Sequence, residues 1–123
     1  MRNERRVRRA ETITLALSYQ LDECCRDGAM EAMVVADGEG LPLAAAGDVY
    51  ACDEVAARMV AVGRRIREFS GTVFNGGTKW DVQMRKVEVD GSALLVCAVG
   101  GSPEDRKKQI ARGTEGALRI LAA

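Results

Sequence analysis

A catalytic site needs a nucleophile or a proton-transfer group beside a positioned partner. This chain has no histidine, so the commonest general base is missing. Cys24, Cys25, Cys52 and Cys97 form no C-x-x-C pair, and without histidine they fit neither the usual zinc patterns nor a thioredoxin-like motif. The neighbours Cys24 and Cys25 cannot easily bridge each other. All four read as small apolar side chains, buried or half-buried, in a reducing compartment. No spacing suggests a Ser-Lys pair or paired carboxylates. Asp37, Glu39 and Asp48 lie near one apolar hairpin, but turn chemistry accounts for Asp37 and helix capping for Asp48, so no metal is expected. The stretch G-T-V-F-N-G-G-T, Gly71 to Thr78, superficially echoes a phosphate loop. Gly77 stands where that loop needs its lysine, so a flexible strand connection is the better reading. No cofactor and no enzyme are expected.

The 123 residues suit one domain, 1–123, with a single core. Charge is balanced at 18 basic and 18 acidic residues, which removes a global electrostatic case for nucleic acid. It is unevenly spread: Arg2, Arg5, Arg6, Arg8 and Arg9 crowd the start, interrupted only by Glu4. Cations there oppose the helix macrodipole. Residues 1–9 therefore read as a frayed, solvated helix start, or else as a contact for a partner or an anionic surface. No run approaches the roughly 20 apolar residues that span a bilayer, and no apolar stretch directly follows the arginines. No membrane insertion is expected, and the expected location is the cytoplasm.

The elements that would carry any site follow from periodicity. Val7, Ala10, Ile13, Leu17, Leu21 and Cys24 trace one stripe of a helix from about Glu4 to Asp27, which Gly28 is placed to end. Met30–Ala36 reads as a strand covered on both faces, and Asp37-Gly38 as a hairpin turn in which glycine takes the positive φ. Pro42 confines the next strand to a sheet edge. A second helix is predicted from Val49 to Phe69, capped by Asp48 or Asp53. Val55, Met59, Val62, Ile66 and Phe69 form one of its stripes; Cys52, Ala56, Val60 and Gly63 form a second, built mostly of small residues, that would let another helix approach. Arg64, Arg65 and Arg67 fall near its end, as a solvated face or as a partner surface. Phe69–Gly77 predicts a short strand and Trp80–Val89 a longer one, with a phase slip at Arg85-Lys86 that suggests a β-bulge. Trp80 reads as a core anchor, or as a binding hot spot. After an Asp90-Gly91 turn, A-L-L-V-C-A-V must be a central strand. Ser102, Pro103, Glu104 and Asp105 open a last helix, with Ile110, Ala117, Leu118 and Leu121 inward. Gly113 and Gly116 lower its helicity, so packing must hold it. The order is α-β-β-α-β-β-β-α, an α/β (α+β) fold with helices on both faces of a five-stranded antiparallel sheet.

This order, the A-M-V-V-A-D-G-E-G-L-P-L-A hairpin, the small-residue second helix and the closing V-E-V-D-G-S-A-L-L-V-C-A-V hairpin resemble the Roadblock/dynein-light-chain family over essentially the whole chain. The chain is similar in particular to the bacterial members, including the regulators of Ras-like gliding-motility GTPases. The resemblance implies strand order 2-1-5-4-3, with the first and third helices on one face and the second on the other. It also implies a homodimer formed by pairing the third strand and packing the second helices. The matching positions are Thr72, Val73 and Phe74 on the strand, and Ala56, Met59, Val60 and Gly63 on the helix. Its implied function is regulating or scaffolding a small GTPase by protein docking, with Arg64 and Arg67 as a partner surface. Some relatives accelerate GTP hydrolysis without supplying an arginine. Two other readings stay open. One is a small-molecule sensor of the profilin-like or PAS-like kind, which needs a cavity between sheet and helix. The other is a structural subunit of a heterodimer with no GTPase partner.

Overall fold

A strand with no charged side chain from Ala93 to Val99 is stable only if both of its faces are covered. The computed structural model, which describes residues 2–122 and the side chains of residues 8–122, places this strand at the centre of the molecule. It forms β5 (Ser92–Val99), flanked by β1 (Ala32–Asp37) and β4 (Thr78–Val89). At the edges lie β2 (Pro42–Gly47) and β3 (Glu68–Asn75), giving the order β2-β1-β5-β4-β3, antiparallel throughout. Helices α1 (Arg2–Asp27) and α3 (Pro103–Ala122) cover one face, and α2 (Val49–Gly63) covers the other. The strands sort their side chains between the two layers. Val34, Val82, Met84, Leu95, Cys97 and Val99 face α2, while Met33, Val35, Leu94, Val96 and Ala98 face α1 and α3. Expected class, element order and strand order are all observed.

Arg2, Arg5, Arg6 and Val7 lie outside the described side chains. From there α1 carries a shorter buried stripe than its periodicity predicts: Ala10 is exposed, Ile13 is half-buried, and Leu17, Leu21 and Cys24 are fully covered. Its end also differs from expectation. The Met30 N–H reaches the Cys25 carbonyl at 2.9 Å and the Ala29 N–H reaches that of Arg26 at 3.3 Å, the paired bonds of a Schellman cap. The left-handed residue of that cap is Ala29, at φ 51°, not Gly28. Gly28 is small for another reason: a Cβ there would sit 2.7 Å from Cγ of Gln109 on α3. Arg112 of α3 ties the same region by donating to Asp27 at 2.5 Å and lying 3.5 Å from Glu23.

The first hairpin is corrected in the same way. Its positive φ, 89°, belongs to Gly40 and not to Gly38. The Asp37 carboxylate accepts from the N–H groups of Glu39 at 2.8 Å and Leu41 at 3.0 Å, so the loop is closed by a side chain. Helix α2 starts where predicted, with Asp48 accepting from the Ala51 N–H at 2.9 Å, but it stops at Gly63. Phe69 fits the helical stripe in sequence because, from β3, it packs into the same core layer. The predicted bulge in β4 is absent: Val82 to Val89 pair with Val99 to Ser92 without a shift. The phase slip marks a change of cover instead. Trp80, Val82 and Met84 point under α2, and beyond its end Val87 and Val89 point under the other two helices.

In α3, Ser102 accepts from the Asp105 N–H at 3.1 Å, while Ile110 and Ala117 are buried and Leu118 is exposed. Arg106 is buried too, and donates to the carbonyls of Gly100 at 2.9 Å and Gly101 at 2.8 Å, which holds the β5–α3 turn.

A left-handed residue with a Cβ costs about 1 kcal/mol relative to glycine. Ala29→Gly should therefore raise stability by roughly 0.5–1 kcal/mol. Urea unfolding checks this as a higher midpoint at unchanged slope.

Candidate functional site

The two edges of the sheet are built differently. β2 carries Pro42, which has no N–H to offer, and its pairing with β1 is irregular: Leu43 is passed over between the pairs Val35–Ala44 and Ala36–Pro42. Proline and a bulge are both devices that blunt an edge. β3 has neither. Its eight residues pair with β4 in unbroken register from Glu68–Arg85 to Asn75–Thr78. The Lys86 N–H donates to the Arg67 carbonyl at 2.7 Å, and bonded pairs alternate along an antiparallel ladder. The odd-numbered residues of β3 thus bond inward to β4. Glu68, Ser70, Thr72 and Phe74 direct their N–H and C=O groups outward, away from the sheet.

Beside this edge runs a shallow groove of about 540 Å³ between α2 and β3. Its α2 wall is Ala57, Arg58, Met59, Ala61 and Val62; its β3 wall is Phe69, Thr72, Val73 and Phe74. Phe74 is 64% exposed, a large apolar side chain left in water at the rim. The upper end of the groove is pinned. The Tyr50 ring lies 5.7 Å from that of Trp80, and the Asn75 amide donates to the Tyr50 hydroxyl at 2.7 Å and to Glu54 Oε2 at 3.2 Å. Trp80 itself is buried and serves as the anchor in the core.

Of the helix positions expected to meet a second copy, Met59 reaches the groove, and most of the stripe also packs inward. Ala56 and Met59 are buried against the chain's own sheet, and a Cβ on Gly63 would lie 2.9 Å from Leu95. Val60 is half-buried. The small-residue stripe seats α2 on its own strands, and the face left outward is Ala57, Arg58 and Ala61. Counting turns from the Asp48 cap would have found it, because Val55, Ala56, Met59 and Gly63 share one side of the helix. On β3, Thr72 and Phe74 are exposed and Val73 is covered by α2. Arg64 caps the C-terminus of α2, and Arg67 lies beyond the helix, in the link to β3; both are exposed.

Other candidate chemistry resolves into structure. Gly71 to Thr78 is the end of β3 and its hairpin into β4, turning at Gly76-Gly77. The space between α2 and the sheet at Val60, Gly63, Lys86 and Leu95 is about 40 Å³, far below the few hundred Å³ of a small-molecule site. Among the described residues, no three His, Cys, Asp or Glu side chains gather in a way that could hold a metal ion.

No family model and no curated protein matches the sequence. Solved structures match its shape. The gliding protein MglB from Thermus thermophilus superposes with a TM-score of 0.65 at 18% identity, over 89% of this chain and 91% of that one. An MglB with a tetrameric arrangement gives 0.66 at 14% identity, over 89% and 90%. A Roadblock/LC7 domain from Streptomyces avermitilis gives 0.58 at 15%, over 86% and 98%. The chain has the Roadblock fold.

Within this Roadblock fold the four cysteines are buried and reduced. Cys52 and Cys25 rest on the Ala46 carbonyl at 3.4 and 3.8 Å, and neither takes part in the groove. Burial away from water pushes the Cys97 thiol up to about 12 and those of Cys25 and Cys52 to about 11. An inert thiol is the result. The unfolded chain loses these protons near the ordinary value of 9.0, whereas the folded chain keeps them. Stability is then complete below about pH 9 and falls as pH rises from there towards about 12. Melting curves at about pH 8 and pH 10.5 should show the lower Tm at the higher pH, and a smaller drop for Cys97→Val.

Proposed function

We propose that this chain is a non-catalytic regulator that acts as a homodimer and docks a Ras-like small GTPase, as an adaptor or as an activator of GTP hydrolysis. The observation that carries the reading is the contrast between the two sheet edges. β2 is blunted by Pro42 and a skipped residue, while β3 offers an unbroken row of outward N–H and C=O groups beside an apolar groove. Open backbone groups beside exposed Phe74 are a liability unless a second strand covers them. A two-fold pair of β3 strands satisfies both partners with one surface. The groove would then take the outward face of the neighbouring α2, with Ala57 and Ala61 allowing close approach.

Docking of a GTPase is supported by the fold shared with MglB, a gliding protein, and by the family resemblance of the hairpins. The partner surface would be the α2 side of the pair, where Arg64 stands exposed, with Arg67 at the edge of the self-pairing seam. Docking of this sort, protein against protein, needs no cofactor. No described helix is long and apolar enough to cross a membrane.

Thr72→Pro tests the pairing cleanly. Its N–H points outward, so the substitution removes an edge donor and leaves the ladder to β4 intact. Light scattering should give a mass near twice 13.2 kDa for the wild type and near 13.2 kDa for the variant, with similar melting temperatures. A wild-type monomer at micromolar concentration overturns the dimer. Titration with Ras-like GTPases of the same organism, loaded with GDP or a GTP analogue, tests the docking. Binding that favours one nucleotide state and is lost with Arg64→Glu supports it, and no binding to any of them refutes it.

A further inference from the structure

The exposed edge also specifies how a second copy would sit on it. Outward backbone groups must face outward backbone groups, which puts the two-fold axis of an antiparallel pair of β3 strands on a residue. The three registers with the longest overlap of residues 67–75 centre on Ser70, Gly71 or Thr72. These three registers place different side chains opposite one another on the α2 side of the sheet. That side carries Arg67, Phe69, Gly71, Val73 and Asn75, because Phe69 and Val73 lie in the α2 core layer and Arg67 pairs with Lys86, which faces the same layer. An axis at Ser70 sets the charge of Arg67 against Val73. One at Thr72 sets Phe69 against the amide of Asn75.

On the α2 side, only the axis at Gly71 keeps apolar groups opposite apolar ones. Phe69 then opposes Val73, an apolar cross-strand pair, on each side of the axis. Gly71 meets its own copy, and it has no side chain to obstruct the crossing. Arg67 opposes Asn75, the residue whose amide already holds the Glu54 carboxylate at 3.2 Å. An arginine placed opposite Asn75 would bring its charge to the side of Glu54 that Asn75 already faces. Neither group has a salt bridge within its own chain: among the described residues the salt bridges are Arg85–Glu68 and those of Arg112.

The geometry points to a dimer seam centred on Gly71 and locked at both ends by Arg67 of one copy against Glu54 of the partner subunit. It rests on the self-pairing proposed above and adds the register and the ion pair that selects it. The competing registers place no arginine beside Glu54, so the pair sets specificity more than raw affinity.

Sedimentation at low and high salt tests the seam with charge reversals. Arg67→Glu and Glu54→Arg should each raise the dimer dissociation constant by about tenfold, since the symmetry counts every contact twice. The double variant should return to within about threefold of the wild type, and Arg119→Glu, on the far face of the sheet, should change nothing. Cross-linking reads the register directly. The Gly71 axis places Ser70 opposite Thr72, about 5.5 Å apart at Cα, so oxidising a mixture of Ser70→Cys and Thr72→Cys chains should yield a covalent dimer. Either variant oxidised alone should not. Covalent dimers from one variant alone, or a double reversal that does not recover, overturn the seam. A wild-type dimer indifferent to both reversals overturns the seam but leaves self-pairing standing. A wild-type monomer removes both.

Discussion

Burial of β1 and β5 on both faces sets the terms for everything around them. From Ala32 to Ala36 and from Val96 to Val99 every side chain is completely covered, so neither strand has a side that water can wet. Two layers of helix are therefore obligatory, one above and one below, and the hairpins must hand the chain from one layer to the other. The caps at Asp48 and Ser102 and the Schellman turn at Ala29 make these handovers without stranding the helix-end backbone groups.

The two layers are unequal, and the candidate site is the difference between them. Five strands span about 24 Å at the usual spacing, whereas one helix covers about 10 Å of width. α1 and α3 together nearly fill their face. α2 is alone on the other, seated over the middle strands by Ala56, Met59 and Gly63, and it leaves a margin along β3. The groove at Phe69, Val73 and Phe74 is that uncovered margin. It follows from helix count and strand count, with no special loop to shape it.

Much of this can be read from residue patterns because the determinants are local. Uniformly apolar strands, a proline in β2, Asp48 and Ser102 at helix starts, and the hairpin signals each act within a few residues. The differences between sequence and structure share one cause: side chains on different elements fill the same layer. Phe69 mimics another turn of α2 because strand and helix both point apolar groups into one core. Val87 mimics the far side of a bulge because the helix above the sheet ends there. The small stripe on α2 suits a second copy by its composition, yet it lies against Leu95, a contact far away in sequence. Glycine content favours Gly28 and Gly38 for backbone roles that Ala29 and Gly40 perform, since composition alone does not say which residue turns. The groove needs both the end of α2 and the start of β3, so it is the least legible part.

The unequal edges also fix the valence of the molecule. A sheet with two usable edges can add units at both and grow without limit. Here one margin is closed by Pro42 and the skipped Leu43, leaving a single open edge. A unit of valence one stops after one partner. Whatever joins β3 ends the series, and the product is a finite particle with blunt flanks, where a chain open on both margins would lengthen into a ribbon.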